Sequence, residues 1–600
     1  MKEPKKIRAF PWEWFGLVVL AALAVYFVSI SWRKWPDPLI DFGRELYVPW
    51  RLSTGAVLFR DIDEAYGPFS QYVNAALFRA FGVSLMVLVI ANLAIFAAIV
   101  SAIYVLFRRA WGRLATFIST ALFIAVFGFS QYNGDGNYNY ATPYAHEATH
   151  GFLVCLLLLL VLYKWMELPS LSLSALAGLF FGLTIVVKTE FVFAAALITS
   201  AAFIFRWRTA RVPLPVIGAW AAGMAFPFAS FVAFFGIRAG WKDALRYAGW
   251  GVVNAVWYAS SPVQKIFTGL DKPVSNAVDH LLATAIALIV IAAIIGVAWL
   301  SNRSQSFGIH IALIGAVWAA VLWLGFVNIN WYLSGRCLLG LNAIYIALCL
   351  FRLSKAETRI SALRLCLALL AASLMLRMPL NGRLYQYGFY QAALAGVLIP
   401  AVMIVELPEW LKFGRWGKWT LVSATLLLFV AAGITLVGEG GEFLEERTFA
   451  IGSGGDQFYS FEAEVDPRGV IITGLVNRLV QMQHEMGGPQ ALIVLPEGAM
   501  INYLARSASP LRELYFYSFS TEGGREAAIV EQLSKHPPTL VALLSRPLHE
   551  YGISRYGQVV GEGKQILDWV YANYTVESKV GGDPLDPEQI GGVLYRHNPH

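Results

Sequence analysis

The chain has 600 residues, 57% of them hydrophobic and 14% charged, with a net charge of +7. A soluble globular protein carries about 25% charged residues, so this balance excludes one and points to a polytopic membrane protein. The surplus of Lys and Arg is the cytoplasmic-loop bias of membrane proteins rather than a nucleic-acid footprint, and Cys155, Cys337, Cys349 and Cys366 have no metal-ligand spacing.

The N-terminal segment has a basic start and a long apolar run. Trp32-Arg33-Lys34-Trp35 follows where a signal peptide would carry small residues, so 12–30 is expected to be a retained first span. Runs near the ~20 residues that a crossing needs predict about thirteen spans, at 12–30, 83–107, 114–130, 150–166, 173–188, 191–205, 213–236, 279–300, 308–328, 337–352, 360–376, 388–406 and 419–437. Lys and Arg collect in alternate short loops, such as Arg108, Arg109 and Arg113, then Arg206, Arg208 and Arg211, which assigns those loops and the N-terminus to the cytoplasm. The loops 31–82, 131–149, 237–278, 329–336 and 377–387 then share the opposite face with the tail. Segment 237–278 mixes aromatic residues with charges and is expected to lie in the membrane interface.

Two domains are expected: a transmembrane catalytic module, 1–437, which includes the outer loop 31–82, and a non-cytoplasmic α/β domain, 438–600. In the tail, ALIVLPEG (491–498) and TLVALLSR (539–546) read as strands, and REAAIVEQLSKHPP and GKQILDWVYANY as helices. That alternation predicts a small parallel sheet.

The first outer loop concentrates carboxylates: Asp37, Asp41, Glu45, Asp61, Asp63 and Glu64. A carboxylate at the membrane surface can deprotonate an acceptor handled there. Asp41, some ten residues beyond the first span, is the first candidate base. Glu45 lies one helical turn on, with Arg44 beside it, and is given an orienting role. A solvated amphipathic helix is the plain alternative. Asp61, Asp63 and Glu64 precede Gly67-Pro68, which turns the chain back to the membrane. Carboxylates suit a hard divalent cation, which is kept as an optional cofactor, yet the spacing fits an ordinary acidic turn better. In the loop 130–151, Asp135, Asn137, Tyr138, His146 and Glu147 suit hydrogen bonding to a sugar or acceptor. His146 and His150, at i and i+4, could ligate a metal on a helix, though such pairs are more often structural. Lys188, Arg336, Arg377 and Arg383 are outer-face cations, candidates to hold a lipid phosphate. For Lys188 the alternative is a pair with Glu190 snorkelling at the interface.

The segments DFGRELYVPWRLSTGAVLFRD, YGPFSQYVNAALFRAFG, NYNYATPYAHEATHG, GLTIVVKTEF and LYQYGFYQAAL together resemble the GT-C superfamily of membrane glycosyltransferases. The resemblance is to the bacterial branch (glycosyltransferase family 39-like) that includes relatives of the protein O-mannosyltransferases and of the lipid A aminoarabinose transferase. It implies an acidic residue soon after the first span, which falls on Asp41, about thirteen spans and a C-terminal non-cytoplasmic domain. Gly55–Asp61 and Gly67-Pro68 match the family's G-x-x-x-x-x-D segment and its Pro-containing re-entry. Many relatives have Asp-Glu where this chain has Asp41-Phe42, so that either Glu45 replaces the missing carboxylate or the second acid is dispensable. The resemblance thus implies an inverting transferase in a bacterial inner membrane, taking a sugar from a polyprenyl-phosphate lipid and passing it to a glycan, lipid or protein. A transporter or flippase of lipid-linked saccharide is the competing reading. It would place charged or broken segments at mid-membrane, whereas the polar residues here collect on one face. A non-catalytic scaffold leaves the acidic loop without a role.

Overall fold

The computed structural model describes residues 12–129, 137–258, 262–354, 358–376, 381–517 and 520–598. Helices stand at all thirteen predicted spans. Among the described residues ten are long and apolar enough to cross a membrane, and the chain is an integral membrane protein. The other three are shorter: Arg113–Leu122 with its π-helical continuation Phe123–Gly128, Leu171–Ile185 and Arg359–Met375. Leu171–Ile185 has 15 residues, which at 1.5 Å each cover about 22 Å of a hydrocarbon core about 30 Å thick. The thirteen predicted positions thus hold ten full-length helices and three shorter ones among the described residues. Segment 237–278 forms the short helices Trp241–Ala248, Trp250–Tyr258 and Pro262–Thr268 before the long helix Pro273–Arg303 begins.

The seam after Ile185 is set by the outer loop. Val186 and Val187 leave the helix, and their carbonyls accept from Phe69 N–H at 3.0 Å and Gly67 N–H at 2.9 Å. A Cβ on Gly67 would lie 2.3 Å from the Val186 oxygen, so the re-entry turn seats there only as glycine. The next helix, Thr189–Thr209, starts directly after Lys188. The outer loop itself contains the helix Phe42–Ser53, in which every residue from Phe42 to Pro49 is buried. This rules out the solvated amphipathic helix.

The last span's helix, Arg415–Glu445, runs on past residue 438. Beyond it β1 (Arg447–Ile451) and β2 (Phe458–Phe461) form a hairpin. Four further strands, β3 (Leu492–Leu495), β4 (Leu540–Leu544), β5 (Tyr574–Gly581) and β6 (Gly591–His597), make one sheet in the order β3-β4-β6-β5. β3 and β4 are parallel, as expected, but β6 runs antiparallel to both β4 and β5. The sheet is mixed rather than parallel. The antiparallel β5–β6 pair leaves little trace in the sequence because β5, YTVESKVG, is an edge strand that buries only Tyr574.

The tail packs on the outer loop. Buried Arg447 donates to the carbonyls of Lys34 and Pro36, each at 2.7 Å. The Ser509 N–H donates to the Tyr47 hydroxyl at 2.8 Å, and Arg468 meets Asp37 at 3.5 Å. A Cβ on Gly43 would lie 2.2 Å from the Met500 nitrogen, so the Phe42–Ser53 helix and the tail touch backbone to backbone. Residues 31–82 and the tail therefore share one end of the bundle.

Candidate active site

Between bundle, outer loop and tail lies a cavity of about 730 Å3. Asp37, Asp41, Asp63, Glu64, Glu190 and Glu550 line it, facing Arg44, Lys188 and Arg546. Asp41 stands at its most unusual backbone position. With φ 57° and ψ −64°, and with Phe42 N–H bonded to the Ile40 carbonyl at 2.7 Å, it is the central residue of a strained γ-turn. Among the described residues its carboxylate accepts no hydrogen bond. Burial pushes its pKa up to about 7 against the pull of Arg44, and Glu497, Arg546 and Glu550 of the tail lie close enough to act on it. A carboxylate of that pKa is half ionised near neutrality and is a far better proton acceptor than an ordinary aspartate. Glu64, also on the wall, is likewise pushed up to about 7 by burial.

Glu45 is not on the wall. One helical turn carries it behind Asp41, fully buried, where it accepts from Arg44 at 2.8 Å, from the His146 N–H at 3.0 Å and pairs with the His146 ring at 2.5 Å. Burial opposes its ionisation, but Arg44 and His146 outweigh that and hold it at about 2. It remains charged throughout the physiological range and anchors Arg44, which also donates to the Tyr144 carbonyl at 3.0 Å and the Tyr515 hydroxyl of the tail at 3.2 Å. His146 and Glu147 also lie behind the cavity. The second His146 nitrogen meets Asn92 at 3.1 Å, and one oxygen of Glu147 accepts from Gln71 at 3.3 Å; neither side chain is on the cavity wall. His146 is thus spent, and a His146/His150 metal pair does not fit. Among the described residues no three His, Cys, Asp or Glu side chains are grouped to hold a metal. Asp37, for one, accepts from the Leu39 and Ile40 amides at 2.9 and 2.8 Å. Of the loop candidates, Asn137 and Tyr138 do line the cavity, with Asn137 tying the Ile40 carbonyl at 2.7 Å. Asp135 and Arg377 lie outside the described residues.

The expected cationic rim is mostly elsewhere. Arg336 pairs with Asp279 at 2.7 Å, and Arg383 reaches Gln386 and the Tyr385 ring; neither lines the cavity. Lys188 does. It is 4% exposed, donates to the Tyr144 hydroxyl at 2.7 Å, lies 3.5 Å from Glu190 and sits over the rings of Tyr66, Tyr144 and Tyr390. Burial on a wall of the cavity replaces the snorkelling geometry. The third cation, Arg546, went unnoticed in the sequence. It follows β4, and its partner Glu497 follows β3, so both stand at the carboxyl ends of the two parallel strands. Open α/β sheets set their ligand-contacting residues at that edge, and LPEG and LLSRP were the available signal.

No family model matches the chain, and no curated protein matches it. Among solved structures it is similar to the Archaeoglobus fulgidus oligosaccharyltransferase tethered with an acceptor peptide containing the NVT sequon. The two share 13% identity with a TM-score of 0.51, over 98% of this chain and 74% of that one. The apo form of the same protein aligns at 13% identity and a TM-score of 0.50, over 98% of this chain and 75% of that one. ArnT from Cupriavidus metallidurans bound to undecaprenyl phosphate aligns at 12% identity with a TM-score of 0.45, over 99% of this chain and all of that one. At such identity the likeness is one of fold: the chain shares the helical-bundle architecture of the archaeal oligosaccharyltransferase, and a small α/β domain stands at its C-terminus.

Proposed function

We propose that the chain is an inverting glycosyltransferase that moves a sugar from a polyprenyl-phosphate donor to an acceptor on the non-cytoplasmic side of a bacterial inner membrane. Asp41 is the general base. The acceptor hydroxyl gives its proton to the Asp41 carboxylate as its oxygen bonds to the anomeric carbon, on the face opposite the phosphate. The anomeric carbon–oxygen bond to phosphate breaks, and the polyprenyl phosphate leaves with the electron pair. Lys188, preorganised by Tyr144 and Glu190, stabilises the charge gathering on that phosphate. Asn137 and Tyr138 contact the sugar. Arg44 holds the outer loop against the tail and keeps the Asp41 pKa from rising further. No metal is assigned a step.

The observation that carries this reading is Asp41 itself: a strained backbone, a carboxylate without a hydrogen bond among the described residues, and a cavity wall. Strain of this kind costs about 1–3 kcal/mol and persists where function requires it. The test is Asp41→Asn in the purified full chain, assayed for binding of undecaprenyl phosphate and for sugar release from undecaprenyl-phosphate-linked sugars. Binding is retained, and turnover falls by about 10²–10⁴-fold. Near-normal turnover overturns the assignment and moves the search to Asp63 and Glu64, whereas Asp61, held by Arg60 and the Val57 amide, is off the wall.

A further inference from the structure

The tail supplies one whole side of the cavity, with Tyr515, Tyr517, Arg546, His549, Glu550 and Tyr551. Its chemistry differs from that of the bundle side. Arg546 is already committed: it donates to Glu497, to Glu550 at 2.6 Å and to the Pro547 carbonyl at 2.6 Å, and its side chain is 6% exposed. Two carboxylates on one guanidinium leave this side with an excess of negative charge, which disfavours a phosphate or a carboxylate. What it offers instead is aromatic surface and hydrogen-bond acceptors. Tyr515 and Tyr517 stand 6.0 Å apart and Tyr517 and Tyr551 4.8 Å apart, and Tyr551 meets Phe267 of the Pro262–Thr268 helix at 6.2 Å. Glu550, half exposed, uses one oxygen on Arg546, and among the described residues the other accepts nothing. The other cations on the cavity wall, Arg44 and Lys188, come from the outer loop and the bundle. Asp41 feels the charges of Glu497, Arg546 and Glu550, so the tail side borders the base.

Resting on the transferase reading above, we infer that the tail forms an acceptor subsite for a saccharide without an anionic group, which lays its C–H face on Tyr551 and gives a hydroxyl to Glu550. A sugar ring has one face of C–H bonds and a rim of hydroxyls, which matches a tyrosine ring beside a carboxylate. A flanking hydroxyl of the same ring then lies toward Asp41.

The full chain in detergent is probed by saturation-transfer NMR with methyl glycosides of glucose, galactose, mannose, N-acetylglucosamine and arabinose, with glucose 1-phosphate, and with a serine-containing peptide. At least one methyl glycoside receives magnetisation, in preference to the phosphate and the peptide. Tyr551→Ala weakens that glycoside roughly tenfold, the scale of one lost aromatic contact, while Tyr551→Phe keeps it. Glu550→Gln, at an exposed position that tolerates the change, weakens it several-fold. If no glycoside binds, if the phosphate or peptide is preferred, or if all three variants bind as the parent does, the subsite is overturned. Undecaprenyl phosphate binding is measured on the same samples. Its absence from the unsubstituted chain would count against the lipid-donor reading and leave the saccharide result standing on its own.

Discussion

Glu406 and Asp41 are carboxylates at opposite ends of the helical bundle, and the fold treats them in opposite ways. Glu406, 1% exposed, accepts from the Trp111 indole at 2.6 Å and the Tyr345 hydroxyl at 2.5 Å and meets Arg364 at 3.3 Å. Arg364 in turn donates to the Ala110 carbonyl at 2.7 Å, so one carboxylate ties together four segments at the inner end. Asp41 sits in a strained turn beside a cavity, with no hydrogen bond to its carboxylate among the described residues. The Glu406 end is satisfied by folding alone, whereas the Asp41 end is left open to the cavity.

Four substitutions probe that contrast. Asp41→Asn has the largest effect, the 10²–10⁴-fold loss of turnover given above. Its pH signature follows from the pKa. Turnover of the unsubstituted chain rises with pH through about 7, as the base loses its proton. For stability the sign runs the other way. The unfolded carboxyl ionises near 3.8 and the folded one near 7, so ionising it in place costs nothing in acid, costs more from about pH 4 to 7, and costs most above. Asp41→Asn should therefore unfold at a higher temperature than the parent at pH 8 and at the same temperature at pH 4. Equal melting curves at both would mean that the carboxylate is better solvated than its setting implies.

Glu406→Ala should lower stability by about 3 kcal/mol, since it removes two hydrogen bonds to a charged group and leaves Arg364 short of its partner. Thermal unfolding measures the loss, and the folded fraction should keep its turnover. Loss of turnover without loss of stability would put chemistry at the inner end and break the comparison. Glu45→Gln stands between the two classes. It strips the charge that holds Arg44 and His146, for about 2 kcal/mol of stability, with a smaller fall in turnover than Asp41→Asn gives. Tyr515→Phe has the smallest effect, about 1 kcal/mol for one hydrogen bond to Arg44. Its informative readout is the pH–rate midpoint. A shift there would show that the tail tunes the base through Arg44, and an unmoved midpoint would limit Tyr515 to packing.

The division between legible and hidden follows the range of the interactions. The helices at the thirteen predicted positions follow from apolar runs whose length the membrane dictates, and β3 and β4 from buried apolar strands, because those signals are local. Asp41 is the candidate base by its distance from the first span and by resemblance, and to that proposal the structure adds the turn and the cavity. Glu45, His146 and Glu147 carry the same residue types as a site and turn out to be one buried network. Their fate depends on which way a helix turn faces once the outer loop packs, and periodicity alone does not say which buried face is a wall and which is filling.

By itself the sequence determined a membrane bundle with an acidic loop and an α/β tail at one end, since hydrophobic length and charge placement act residue by residue. The tertiary structure alone decided which charges meet. It removed Arg336 and Arg383 from the cavity by giving them other neighbours, and brought Arg546 and Tyr551 beside Asp41 from some five hundred residues away. Such meetings are set by docking the tail on the outer loop through Gly43, Arg447 and Arg468, contacts that no local pattern encodes.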